Sequence, residues 1–444
     1  PLVAGIRADE ITDVVLTGMG GSSLFPEVLA RTFGPAPGSP RLRVIDSTDP
    51  AAVLRAEREL PWPSTLVVAA SKSGGTVETL AHLARFRARL DDVHGDAAAG
   101  RVVAVTDPGS PLAVRGRDEG FRAVVLGDPD VGGRFSALSP FGLLPAALLG
   151  VDVEGFVGAA ADLRAMTVAD PSDPEGPAAL AEFLAGAVAD GRDVLHLLVP
   201  PGLEPFAAWV EQLVAESTGK GGRGILPVVT HAAGDVRPGP RRAVVALGAD
   251  PGSFGDGDVP ALRLPRPDAD ALGAEILRWM LATAVVGARM AIDPFDQPDV
   301  AAAKVATAEA LRTGAGPGPA ESFRALAADL ADARYLAVLA YVDPDGPTAA
   351  ELEARCRVLA RELDVPVTFG VGPRYLHSTG QLHKGGPPGG VFALVVGEDP
   401  EDADVPGLPY GFSALKRAQA AGDLTALRAA GRRARHVDPA TLLA

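Results

Sequence analysis

From Asp13 to Gly127 the chain alternates short apolar runs with stretches whose apolar positions return every three or four residues. The runs DVVLTG, LRVID, TLVVAA, RVVAVT and RAVVLG are rich in β-branched and small side chains and almost uncharged at their centres. That is the composition of strands buried on both faces. Between them lie stretches such as SLFPEVLARTF, with helical spacing. Strand and helix in alternation predict a parallel sheet with crossover helices, a doubly wound α/β unit of the flavodoxin-like kind. Val151 to Asp193 reads as helical, broken by ADPSDPEGP, and so as a connection. A second alternation follows, with DVLHLLVP, ILPVV, RAVVAL and ALRLP as strands and EPFAAWVEQLVAES as a helix, which predicts a second doubly wound unit. After TGAGPGP a third α/β piece carries RYLAVLAYV, VPVTFGV and GGVFALVVG. We therefore expect three spans: 1–150, 151–312 with its connecting helices, and a C-terminal α/β segment at 313–444. Neither a short tandem repeat nor a heptad array is visible.

One junction stands out. In VVAASKSGGTVETL the strand at Val67 to Ala70 ends in a burst of polar residues, and Val77, Leu80, Leu83 and Ala84 then resume at helical spacing. Ser71, Ser73 and Thr76 offer hydroxyls, Gly74 and Gly75 let a ligand approach the backbone, and the following helix points free N–H groups back at the turn. Such a place attracts an anion, most often phosphate. The plainer alternative is that Ser73 or Thr76 only caps the helix. The spacing fits neither a P-loop nor a dinucleotide fingerprint. GMGGSS, after the first strand, falls at the same carboxyl edge of the sheet, where ligands gather in doubly wound folds. The two turns should face one crevice.

Composition narrows the partner. The 444 residues are 47% hydrophobic without a long uncharged apolar run, so no membrane partner is expected and there is room for two or three domains. A net charge of −15 argues against nucleic acid and makes any anion site a local cationic island. Of 41 basic residues, five are lysines: Lys72, Lys220, Lys304, Lys384 and Lys416. The first four sit in or just after polar, motif-like strings, where a compact, titratable charge differs most from Arg. Cys356, the single cysteine, lies in the amphipathic ELEARCRVLAREL and reads as a small apolar residue. With no intrachain disulfide available, a reducing cytoplasm is the expected compartment. The chain opens at Pro1 without an initiator Met or a visible signal peptide, and an upstream segment is expected to be missing.

Five strings, in order, resemble the glucose-6-phosphate isomerase family, which is built from two sugar-isomerase (SIS) domains: GMGGSS, SKSGGTVET, GGRFSALSPFG, EQLVAESTGKGGRGILPV and DPFDQPDVAAAK. The likeness spans about Asp13 to Lys304, and the later YLHSTGQLHKGGP looks like the isomerase half of bacterial transaldolase/isomerase fusions. The resemblance implies an aldose–ketose isomerase working through an enediolate, with neither metal nor cofactor. Its partner would be a small sugar phosphate, and a homodimer is left open. By the same resemblance Ser71, Ser73 and Thr76 hold the phosphate with Lys72 nearby, while Gly21 and Ser22 line the crevice. Gln297 closes it from the Lys304 side, Arg134 stabilises the enediolate, and Lys304 opens the sugar ring.

The pattern also departs from the family. Where the family has its Gly-Glu-Pro-Gly-Thr string this chain reads GILPVVTHAAGD, Asp299 replaces a usual glycine, and Ala301 a usual glutamate. The general base is therefore not carried over. Glu216, between an apolar helix and Lys220, and His231 are the two candidates. In HSTGQLHKGG, His383 or Lys384 is a further candidate to reach the sugar. A non-catalytic SIS-type sugar-phosphate sensor, and an isomerase also accepting mannose 6-phosphate, are the alternatives. A sensor would need the phosphate turn but not Arg134 or Lys304.

Overall fold

The apolar runs pair into three parallel sheets in the computed structural model, which describes residues 1–174, 176–248, 259–268, 270–363 and 365–443. The first sheet holds β1 (Asp13–Gly18), β2 (Arg41–Ile45), β3 (Thr65–Ala70), β4 (Val102–Thr106) and β5 (Ala123–Leu126), in the order β2-β1-β3-β4-β5. Every residue of β1 and β3 is buried, as their unbroken apolar character requires. This order reverses between β1 and β3, the topological switch point at which such sheets bind ligands. SKSGGT and GMGGSS follow these two strands.

The second sheet holds β6 (Val194–Leu198), β7 (Leu226–Thr230), β8 (Arg242–Leu247) and β9 (Ala261–Leu264), ordered β7-β6-β8-β9. The third holds β10 (Tyr335–Tyr341), β11 (Val367–Val371), β12 (Gly390–Val396) and β13 (Arg433–Val437), ordered β11-β10-β12-β13. The C-terminal segment thus repeats the winding of the other two. Its last strand, RARHV, escapes a hydrophobicity reading because it is an edge strand. Arg433 pairs with Asp332, and Arg435 with Asp329 and Glu321.

The sheets share cores rather than standing apart. The helix Glu204–Thr218 is buried along nearly its whole length, with Phe206, Trp209 and Val210 packed against Phe25 and Phe156. Phe412 and Leu415, near the end of the chain, enter a core with Val53 and Phe86 of the first sheet's helices. Burying a ring such as Phe412 contributes about 2–3 kcal/mol. Beside it Lys416 is wholly buried, its Nζ 3.0 Å from Asp49 Oδ2 and paired also to Asp399. Cys356 packs among Leu352, Leu359 and Val338, and burial pushes its thiol up to about 12. Among the described residues no helix is long and apolar enough to cross a membrane.

Candidate active site

At the carboxyl edge of the first sheet, the turns after β1 and β3 open into one cavity of about 520 Å³. Two glycines set the first turn. Gly20 takes φ +58°, and a Cβ there would stand 2.8 Å from both Gln212 Nε2 and the His377 carbonyl oxygen. At Gly21 a Cβ would fall 1.9 Å from the Gly133 carbonyl oxygen. Only glycine lets these segments close on the turn, and the second contact seats the Gly132–Gly133 backbone and hence Arg134.

Two helices, Gly21–Val28 and Val77–His94, begin at the cavity wall. Thr76 is the N-cap of the second, yet its side chain makes no capping bond; Thr76 Oγ1 and Ser71 Oγ instead share a hydrogen bond of 2.8 Å. The plain capping role considered for Thr76 is therefore not what the turn adopts. Ser73 is exposed, its Oγ accepting from the Gly75 N–H at 3.3 Å, and it caps nothing either. Hydroxyls and an electropositive helix end converge where an anion can lie. Lys72 lines the same wall, with its Nζ 2.8 Å from Asp107 Oδ1 and from the Asp128 carbonyl oxygen. Gly21 and Ser22 line the cavity beside it.

Across the cavity stand Arg134 and Glu216. Arg134 is 3% exposed; its Nε donates to Ser217 Oγ at 2.8 Å, and its Nη2 to the carbonyls of Pro294 and Asp296. These bonds fix the guanidinium plane and leave Nη1 3.7 Å from Glu216 Oε1. Glu216 Oε2 accepts from Gln212 Nε2 at 3.2 Å. Burial raises the Glu216 carboxyl above its ordinary range, while Arg134, His377, Gln212 and Lys220 pull it back. Lys220 is paired to Asp296 at 2.6 Å and donates to the Asp293 carbonyl. Two cations thus clamp the Asp293–Asp296 backbone, and Gln297 and Lys304 beyond it line the cavity. The departure at Asp299 has a partner: its N–H donates to Gln381 Oε1 at 3.0 Å, and its carboxylate accepts from Gln381 Nε2. Gln381 also donates to the Gly219 carbonyl at 3.0 Å, which ties the C-terminal segment to the Lys220 turn.

Eleven of the thirteen site residues expected from sequence line this cavity; His231 and His383 do not. His231 stands on a different cleft, 4.0 Å from Glu204. The turn after β7, where it sits, belongs to the second sheet's own edge. His383 is 2% exposed and packs edge-on to Phe392 with centroids 5.2 Å apart; burial lowers its pKa to about 3, so it stays neutral. The loop winds into a short helix, Gly380–Gly385, that buries His383 and presents Lys384 to the cavity. Lys384 Nζ lies 2.6 Å from Asp423 Oδ1.

Polar cavity residues outside that expected set include His377 and Gln212. His377 lines the wall, its Nε2 3.0 Å from Glu78 Oε1, and Glu78 also accepts from Gln419 Nε2 at 2.7 Å. Burial alone would raise Glu78, but the interaction with the His377 imidazole outweighs it and holds the carboxyl below its usual range. Gln212, bonded to Glu216 and to the His377 carbonyl at 2.7 Å, keeps a buried Oε1 without a partner. Its signal was available: Gln212 and Glu216 are one helical turn apart in EQLVAES, hence on one face.

A doubly wound sheet whose switch point carries a hydroxyl-rich, helix-tipped turn has the architecture of the sugar-isomerase (SIS) class. Residues 3–239 match the family model described as phosphoglucose isomerase. The chain is 31% identical over 357 residues to the glucose-6-phosphate isomerase of Rubrobacter xylanophilus, covering 67% of this chain and 82% of that one. It is 36% identical over 223 residues to that of Thermosynechococcus vestitus, covering 49% of this chain and 42% of that longer one. A solved structure of a hypothetical protein from Thermus thermophilus superposes with TM-score 0.61 at 29% identity, over 70% of this chain and 87% of that one. A glucose-6-phosphate isomerase from Chlamydia trachomatis shares the fold with TM-score 0.58 at 23% identity, over 70% and 72% of the two chains. The chain belongs to the phosphoglucose isomerase family.

Proposed function

We propose that this cavity interconverts glucose 6-phosphate and fructose 6-phosphate through an enediolate, without metal or cofactor, and that Glu216 carries the proton between C2 and C1. The isomerase activity follows from family membership. The assignment of steps is supported above all by the facing of Arg134 Nη1 and Glu216 at 3.7 Å within a buried wall.

Ser71, Ser73 and Thr76, with the start of the helix Val77–His94, would hold the phosphate, and Gly21, Ser22, Gln297 and Lys384 would contact the sugar. A carboxylate at Glu78 accepts from His377 Nε2, which leaves Nδ1 as an acceptor for the anomeric hydroxyl proton; Lys304 would protonate the ring oxygen. In the open chain Glu216 removes the C2 proton. A carboxyl raised by burial is a stronger base than an exposed one, and so is better matched to that transfer. Negative charge then develops on the enediolate oxygens, where Arg134 is already oriented and needs no reorganisation.

We further take 1–150, 151–312 and 313–444 as three units, a division supported by one sheet falling within each span. A cytoplasmic setting fits a chain with one buried cysteine, and a homodimeric assembly is open to sedimentation. The deciding experiment is conversion of fructose 6-phosphate in deuterated water, with and without EDTA. Conversion with deuterium at C2 of the product, insensitive to EDTA, is expected. Binding without conversion would make the chain a sensor.

A further inference from the structure

A second cleft, of about 300 Å³, lies where β7 and β11, the edge strands of the second and third sheets, meet. One wall is the helix Glu204–Thr218 again. Glu204, Ala208 and Glu211 line this cleft at spacings of four and three residues, which places them on one face. Gln212 and Glu216, on the neighbouring face, line the first cavity. Apolar side chains of Val229, Val367 and Phe369 contribute to the cleft.

Most charges around the cleft already have partners. His231 Nδ1 is 4.0 Å from Glu204, Arg357 is 3.0 Å from Glu353, and Arg361 is 3.7 Å from Asp235. Arg242 Nη1 donates to the Arg237 carbonyl at 2.6 Å. Two groups are different. His196, 5% exposed, shares a hydrogen bond of 3.0 Å between Nδ1 and Thr230 Oγ1, and that hydroxyl donates to the Val228 carbonyl at 3.2 Å. Nδ1 is therefore the protonated nitrogen, and Nε2 is a buried lone pair that receives no hydrogen bond. Glu211 makes no hydrogen bond or ion pair among the described residues, and burial pushes its carboxyl up to about 8, so it is mostly neutral at physiological pH.

A buried acceptor without a donor and a half-buried carboxyl without a counterion ask for the same ligand group, one with N–H bonds and positive charge. We propose that this cleft binds a small primary amine, its ammonium group between Glu211 and His196 Nε2 and its apolar stem against Val229, Val367 and Phe369. Docking a cation favours ionised Glu211, so the carboxyl O–H gives its proton to solvent as the amine binds. No group of three or more His, Cys, Asp or Glu suited to a metal ion occurs among the described residues, which points to an organic cation.

Butylamine is the probe, with butyrate and 1-butanol as controls of equal length, titrated by calorimetry near neutral pH in two buffers of different ionisation enthalpy. Butylamine should bind with release of a proton to the buffer, and saturating fructose 6-phosphate should not displace it. The two controls should give no binding heat. Glu211→Gln, nearly isosteric, should weaken butylamine about tenfold or more and abolish the proton release. The proton release in the unmodified protein tests the site independently of any variant. The proposal is overturned if butylamine gives no heat at millimolar concentration, or if it binds without proton release. Displacement by fructose 6-phosphate would overturn it equally, by placing the amine in the first cavity.

Discussion

Glu211 and Glu216 lie little more than one turn apart on the same buried helix, and each faces a different cavity. Burial raises both carboxyls. Around Glu216 stand a forked cation at 3.7 Å and an amide at 3.2 Å, with Lys220 adding positive charge. Around Glu211 no charge or hydrogen bond among the described residues opposes the desolvation. Desolvation alone therefore does not define a catalytic base. A proton carrier needs its ionised form kept within reach by fixed charges; a carboxyl left without them is a vacancy for a ligand's charge.

The largest test of that contrast is Glu216→Gln beside Glu211→Gln. The first should lower exchange of the substrate C2 hydrogen by roughly 10²- to 10⁴-fold while sugar-phosphate binding persists. The second should leave exchange near the parent rate, as should His231→Asn. Equal losses in both glutamine variants would erase the distinction between the cavities. Next comes Arg134→Lys, which keeps a charge but loses the fork held by Ser217 and two carbonyls. A fall of about 10²- to 10³-fold, mainly in kcat, is expected from steady-state kinetics.

The pH profile sharpens the comparison further. Glu216 must be ionised to act, so kcat/KM should fall on the acid side, at a pH above the ordinary carboxylate range. Lys220→Met removes one of the charges pulling that value down and should move the acid limb to higher pH. An unmoved limb would assign it to another group. The smallest effect is on stability. Glu211 ionises near the ordinary 4.5 when unfolded and near 8 when folded, so the folded state holds the extra proton between those values and stability falls as pH rises through them. Glu211→Gln lacks that loss and should melt about 2 °C or more above the parent at the alkaline end, with no such gain at the acid end.

Strands such as TLVVAA and DVVLTG were legible because both faces are buried, so nothing polar interrupts them. RARHV was not, because its arginines find carboxylates at a sheet edge. The hydroxyl-rich turn's place at the cavity was legible in composition and position, since topology alone brings the ends of β1 and β3 together. The histidines were not. HSTGQLHKGG announced a polar loop, but which imidazole faces the cavity depends on where Glu78 and Phe392 stand, and both lie outside that string. Lys416, lacking a motif, gave no sign that Asp49 and Asp399 would bury it.

The cavity wall is completed from the far end of the chain. Gln419 reaches Glu78 across 341 residues and accepts from Thr48 across 371, while Lys416 reaches Asp49 across 367. Closing a loop of that length costs about 5 kcal/mol of chain entropy before any contact offsets it. Synthesis delivers the hydroxyl-rich turn well before this bolt, so a nascent chain can finish its first sheet with the pocket still unroofed. Chaperones and proteases would meet the apolar surface that Phe412 and Leu415 later cover. Turnover by this molecule thus reports that translation has passed Gln419 and that two segments far apart in sequence have found each other.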